Sequence, residues 1–549
     1  MKLDDMTTYG HDEVVDAVVV GTGAGGAPLL AKLAAAGLRV VAIEAGPNFE
    51  PEQYTNDEDA GTAINWMDER LSDGDDPNAF GPNNSGRGVG GSTLHWGAFV
   101  PRPDERDLHL KSVTGSGVDW PVDSAEVTRY IEQVEAFVGV SGPSDYPWDP
   151  SRHYAYPPAG RNAAADMMVR GCDAVGIRTA DAPEALITHD HHQEHAGLRH
   201  ACVSCGSCHQ GCRNGAKVSM DVTYLPSAVA HGAEIRPDST VTGIETDEHG
   251  EVTAVVYVHD GVEHRQRTAA LFLCAGGVET PRLLLHTGLA NSSDQVGRNF
   301  MCHGATQVWG TFEGEMRGHR GYPSSIITED LRAPADADFV GGYLIQSLGV
   351  PPLTLATTLV RGGGLWGDEL ADVIGGYRHL SGIGINAECL PSDDNRLVLS
   401  DELDEVGVPK ARISFTAGPN EQAIDEHAIR TMTSIVEAAG GTDIRVLART
   451  AHTLGTCRMG DDAADAVVDP DGRSFDVANL WVCDNSTFPS AVVANPALLQ
   501  MAMSLRTADR FLAQHPTASI VEVRDGGADS GADGDAAQDD AADRRTLVS

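Results

Sequence analysis

Four cysteines, Cys202, Cys205, Cys208 and Cys212, stand at C-x2-C-x2-C-x3-C spacing within HACVSCGSCHQGCRNGAK. Thiolates at that spacing can wrap an iron–sulfur cube. Two departures matter: Arg213 stands where proline usually follows, and no second run exists to share a cluster. Four cysteines can also close a tetrahedral zinc site. A metal-free, glycine-rich structural loop is the third reading, and spacing alone leaves all three open.

The second constellation is GTGAGG, which supplies G-x-G-x-x-G as Gly21, Gly23 and Gly26. The first glycine permits a tight turn, the second lets backbone approach a pyrophosphate, and the third lets helix pack close on strand. Free N–H groups at the helix start would then face the anion. Glu44 follows eighteen positions after Gly26, where an acid can hydrogen-bond a ribose 2′-OH. An acid rather than a basic residue argues against a 2′-phosphate, so the spacing predicts FAD or NAD rather than NADP.

The elements that must position these groups are legible from pattern. EVVDAVVV (13–20) reads as a buried strand, PLLAKLAAAG as a helix closed by Gly37, and LRVVAIEAG as a second strand: a βαβ unit. VTGIETDEHGEVTAVVYV (241–258) alternates like a hairpin. An amphipathic helix is predicted near 421–439, then a strand at NLWVCD and a helix at PALLQMAMSLRTADRFL with Pro496 in its first turn. Residues 51–85 read as acidic surface loops, and 524–549 as a disordered acidic tail.

Composition bounds the function. The chain has 549 residues, 39 Lys+Arg against 80 Asp+Glu, and a formal charge of −41. That charge argues against nucleic acid or an anionic membrane as partner. Only five lysines accompany the acids, the pattern of a salt-adapted protein, and a halophilic source is expected. No run reaches the ~20 apolar residues needed for a span, and no signal peptide is visible, so no integral membrane segment and a cytoplasmic location are expected. The other six cysteines, such as Cys274 and Cys483, read as small buried hydrophobes.

GVGGSTLHWG, LCAGGVETPRLLL, VGRNFMCH, HTLGTCRMG and LWVCDNSTFPSAVVANP occur in that order after the βαβ unit. Together they resemble the glucose–methanol–choline (GMC) oxidoreductase family from about residue 14 to 513. The resemblance implies an α/β fold: a discontinuous Rossmann-like FAD-binding domain (13–104, 200–300, 451–516) beside a mixed α+β substrate-binding domain with insertions (105–199, 301–450). It also implies oxidation of an alcohol or sugar-like CH–OH group, with hydride passing to flavin N5. His452, in HTLGTCRMG, is placed like the family's active-site histidine, and Asn495 like its partner. Histidine chemistry suits the role, because the hydroxyl proton needs an acceptor with a pKa near ~6.5. Asn495 could instead simply cap the helix starting at Pro496.

By the same resemblance Gly90, Gly91 and Ser92 lie along the flavin. Val241 touches the adenine, and Asp484 and Asn485 reach the phosphate or ribityl region. His95, followed by Trp96, is placed like the histidine that carries covalent flavin in some members; a histidine merely packed under the flavin is the other reading. Long-chain alcohol oxidases of the family have a similar Cys/Gly stretch and are flavin-only. A cluster would favour a dehydrogenase feeding a carrier protein or quinone; its absence would favour an oxygen-using oxidase. An NAD-linked dehydrogenase and an electron-transfer flavoprotein without alcohol turnover are the rival classes.

Overall fold

The computed structural model describes residues 1–66, 71–73, 85–335 and 337–515. The acidic tail at 524–549 and part of the 51–85 loop region lie outside the described residues. Five short strands form a parallel sheet in the order Leu480–Val482, Leu271–Leu273, Ala17–Val20, Val40–Ile43 and Glu234–Arg236. Every residue of these strands is buried, as expected of a parallel sheet covered on both faces. The strand expected over 13–20 is regular only from Ala17. Asp16 ends it, because its buried carboxylate accepts from the Arg39 backbone N–H at 2.9 Å.

The first helix, Gly26–Ala35, starts directly beyond the first strand, and Gly37 leaves it with φ +87°. The C-terminal helix, Pro496–Gln514, packs against it: the Ser504 hydroxyl donates to the Gly25 carbonyl and accepts from Leu29 N at 3.1 Å. The helix Ser124–Val138, which the sequence grouping put with the second unit, packs on this same C-terminal helix. Val127, Ile131 and Val134 enter the core of the parallel sheet, while Glu126 binds Arg506 at 2.9 Å and Arg510 at 2.5 Å. The expected hairpin is present as Ser239–Thr246 and Val252–His259, with a third antiparallel strand, Val262–Arg267.

A second, larger antiparallel sheet is centred on Leu380–Ala387, buried over all eight residues. Helices Ala163–Val175 and Pro419–Ala438 cover it, the latter two residues ahead of its predicted start. Ile424, Ala428, Met432 and Ile435 recur at three- and four-residue intervals and form the buried stripe. At this sheet's margin Met301–Gly304 pairs with both Leu380–Ala387 and Thr450–Leu454. That pairing sets His303 beside Ala451 and so brings it next to His452, 149 positions away.

Candidate active site

A cavity of about 420 Å³ lies between the two sheets. Gly21, Gly23, Glu44, Gly91, Ser92 and Val241 line it, as do His95, His452, Asp484, Asn485 and Asn495. Of the expected residues, Gly26 and Gly90 stand behind this lining. A Cβ on Gly26 would meet the Gly21 carbonyl at 2.0 Å, the close helix–strand approach the motif demands. Gly90 donates its N–H to Thr22 Oγ1 at 3.1 Å. A Cβ on Gly91 would stand 2.6 Å from Gly23 Cα, so the two glycine loops meet backbone to backbone.

Glu44 is buried and holds these loops together. Oε2 accepts from Thr22 N at 3.0 Å and Thr22 Oγ1 at 2.7 Å, while Oε1 accepts from Gly46 N at 3.1 Å and Gly88 N at 3.3 Å. Burial pushes its pKa up, and these bonds push back. A carboxylate offers about four acceptor positions, so a ribose hydroxyl would share or displace the long Gly88 bond. Asp484 is likewise buried, with its pKa raised by burial. It accepts from Gly276 N at 2.8 Å and Thr280 Oγ1 at 2.5 Å. Asn485 Nδ2 donates to the Thr453 carbonyl, which ties the last parallel strand to the strand carrying His452.

The protonation of the central histidines follows from hydrogen-bond logic. His303 Nε2 is 2.8 Å from the Val492 carbonyl, which can only accept, so Nε2 carries the proton. Burial pushes the His303 pKa down to about 4, so the ring is neutral and Nδ1 bears a lone pair. His452 Nδ1 lies 3.0 Å from that lone pair and must donate to it. His452 is itself held well below the ordinary histidine value, by burial first and then by electrostatic coupling to His303, Arg449 and His95. Its Nε2 is therefore the free lone pair. Asn495 Nδ2 stands 3.5 Å from it, a long contact that agrees with an acceptor there.

Two left-handed residues frame this group: His452 at φ +62° and the β-branched Val492 at φ +60°. Such backbone is costly for valine and persists where its surroundings over-determine it. The buried Glu388 is one such determinant, since its carboxyl faces the backbone amides of Ala491 and Val492. Asn495 occupies the N-cap position of the C-terminal helix but makes no side-chain capping bond. Its Oδ1 is buried without a partner, as is His95 Nε2. Burial pushes the His95 pKa down to about 3, so a neutral imidazole with an unbonded ring nitrogen lines the cavity. A glycine-lined backbone face, a helix start and these orphaned polar atoms suit an FAD.

The cysteine loop lines a second cavity of about 390 Å³, to which Cys202, Cys205, Cys208 and Cys212 all contribute. All four are free thiols. Cys202 Sγ accepts from Ser204 N at 3.4 Å and Cys212 Sγ from Lys217 N at 3.4 Å. Among the described residues, however, no three His, Cys, Asp or Glu side chains converge closely enough to hold a metal ion. The expected ligand set is therefore not assembled; zinc, which needs four sulfurs on one ion, fits least.

The two cavities adjoin. His209, inside the cysteine loop, lines the main cavity and approaches the His95 carbonyl at 3.0 Å through Nδ1. Lys217, fully buried with its pKa pushed down to about 8 by burial, donates to the carbonyls of Leu94, Trp96 and Cys208 at 2.7, 3.2 and 2.8 Å. His303, Glu388, Lys217 and His209 received no role from sequence reasoning. His303 stood inside the quoted VGRNFMCH segment, and His209 and Lys217 inside the quoted HACVSCGSCHQGCRNGAK run.

The sequence models of GMC oxidoreductase match residues 16–305 and 391–504. The chain belongs to the GMC oxidoreductase family and is an FAD-dependent oxidoreductase. It is 29% identical to the fructose dehydrogenase large subunit of Gluconobacter japonicus, over 90% of this chain and 97% of the relative. It is 26% identical to 2-methyl-1,2-propanediol dehydrogenase of Mycolicibacterium austroafricanum, over 90% and 94%. A formate oxidase from Aspergillus oryzae RIB40 shares its fold with TM-score 0.67 at 14% identity, covering 93% of this chain and 100% of that one. Among the described residues no helix is long and apolar enough to cross a membrane.

Proposed function

We propose that this chain oxidises the CH–OH group of an alcohol or sugar-like substrate, with His452 as the proton acceptor. The carrying observation is the directed chain from the Val492 carbonyl through His303 to His452, which leaves Nε2 unprotonated at the cavity beside Asn495. Bound FAD supplies the hydride acceptor. His452 Nε2 takes the hydroxyl proton, and the His303 contact steadies the imidazolium that results. The Asn495 amide hydrogen-bonds the substrate oxygen as negative charge grows on it. Relatives named for fructose and for a propanediol support a polyol or sugar-like donor.

The orphaned Nε2 of His95 supports covalent attachment of the flavin there. The residues that would hold an iron–sulfur cluster are Cys202, Cys205, Cys208 and Cys212 at the second cavity, and such a group would supply one-electron transfer toward a carrier protein or quinone. A cluster spreads its ligand sulfurs over several metal atoms, so it asks less convergence of them than a single ion. The deciding experiment is anaerobic titration of the yellow holoprotein with a panel of alcohols and sugars, without added NAD. Bleaching of the flavin supports the reading; an unbleached flavin with every donor overturns it.

A further inference from the structure

Two arginines line the main cavity, in opposite electrostatic situations. Arg282 is saturated: Glu279 lies at 2.8 Å and Asp404 at 2.5 Å, and the Pro409 and Val408 carbonyls accept its remaining N–H groups. Among the described residues, the Arg449 guanidinium has no hydrogen bond and no ion pair. Burial pulls its ionisation down, and no neighbouring carboxylate restores it. A guanidinium still keeps its proton at any ordinary pH. The cavity wall thus holds a cation that no described side chain answers and that stays partly exposed at the cavity, where an anion carried by a ligand can reach it.

Its position is specific. Arg449 stands between the strands Thr442–Leu447 and Thr450–Leu454, three residues before His452, and Ala305 N donates to its carbonyl at 2.9 Å. Its charge is felt by His452 and His209, both at the cavity. Asn386, from the central strand of the large sheet, lines the same space; it is 2% exposed, and its Nδ2 has no partner. Two donors that no described residue answers thus belong to the lining of the cavity that holds the proposed base.

We infer that Arg449 and Asn386 form a subsite for an acidic group, carboxylate or phosphate, carried by the alcohol whose CH–OH group is presented to His452. The planar guanidinium fork matches two anionic oxygens at once. The inference rests on the oxidoreductase reading and names its substrate class: hydroxy acids, sugar acids or sugar phosphates rather than neutral alcohols. A surface carrying −41 would repel such a donor at long range. Inside the cavity a paired charge is screened far less than at the surface, so the local cation decides.

The test is anaerobic flavin-reduction kinetics of the holoprotein with matched donors: glycerol, glycerate and glycerol phosphate, then glucose, gluconate and glucose 6-phosphate. The acidic member of a set should exceed the neutral one in kcat/KM by ~10–100-fold, the worth of a charge-assisted contact. Which acid leads distinguishes carboxylate from phosphate. Arg449→Ala should remove the preference by raising KM for the acidic donor more than for the neutral one, and Arg449→Lys should restore part of it. Equal slowing of acidic and neutral donors in Arg449→Ala, or a preference of the unmodified protein for neutral donors, overturns the inference. Glutarate, which has no hydroxyl to oxidise, provides an independent readout. It should perturb the flavin spectrum saturably in the unmodified protein and not in Arg449→Ala. Absence of that perturbation overturns the subsite even where alcohols bleach the flavin, and its presence sustains the subsite should the alcohol reading fail.

Discussion

The two adjoining cavities are prepared for their occupants in opposite ways. In the main cavity each central ring has its proton assigned before anything binds: His303 donates to a carbonyl, His452 donates to His303, and one lone pair remains at Nε2. In the cysteine cavity the four thiols share a space without converging, and burial raises the pKa of Cys202 and Cys208. A metal there would need deprotonated thiols drawn closer together than these are. Preorganised hydrogen bonds act without waiting for a ligand, whereas these four thiols have no such preset geometry.

The largest effect expected from this contrast is on the base. His452→Ala should keep its flavin but lose ~10²–10⁴-fold in anaerobic reduction by alcohol, the usual loss for a general base. Near-normal reduction would remove the assignment.

His303→Phe tests whether the proton order is imposed from behind. It strands the His452 Nδ1–H and the Val492 carbonyl, and an unsatisfied buried group costs about 1–3 kcal/mol, hence ~10–100-fold in rate. Rates within twofold of the unmodified protein would mean that His452 chooses its own tautomer.

On the cysteine side, the cluster reading requires iron and acid-labile sulfide in anaerobically purified protein, and their loss in Cys205→Ser with Cys208→Ser. Flavin bleaching should change by less than about twofold, because hydride transfer needs no cluster. Iron-free protein after anaerobic reconstitution would make the loop purely structural. Acid precipitation gives a sharper yes-or-no on His95: colour stays with the protein if the flavin is bonded and leaves with His95→Ala.

The smallest effect is the pH response. His95, His209, His303 and His452 all have folded pKa values below the ordinary 6.5, to about 3, 4 and 4 for the first three. Below pH 6.5 the unfolded chain binds protons that the folded chain refuses, so stability is held above 6.5 and declines as pH falls toward 4. Flavin reduction, which needs neutral His452, should hold its rate through pH 6.5 and fall only well below it. A titration centred at 6.5 in kcat/KM would show the base to be more solvated than its surroundings indicate.

Much of the fold was legible because its signals are local. The glycine turn, the first helix, the hairpin and the C-terminal helix each follow from residues within one element of one another. Asn495 beside Pro496 reads equally well as a cap or as a site residue; in the fold it makes no side-chain capping bond, and its Nδ2 lies 3.5 Å from His452 Nε2. Glu44 was read as a ribose ligand, yet its carboxylate is engaged by four protein donors from three segments. No spacing along the chain could reveal that count.

By itself the sequence determined the dinucleotide turn, the acidic surface and the family, because glycine geometry, charge and motif order are carried by residue type and short-range spacing. Tertiary structure alone decided which groups meet. The pairing of Met301–Gly304 with Thr450–Leu454 sets His303 behind His452, and among the described residues nothing pairs with the Arg449 guanidinium or Asn386 Nδ2. Protonation state, tautomer and unpaired charge depend on neighbours a few ångströms away in space and more than a hundred residues away in the chain. Those quantities give this nucleotide-binding fold a cavity with an unprotonated imidazole nitrogen and an unanswered cation.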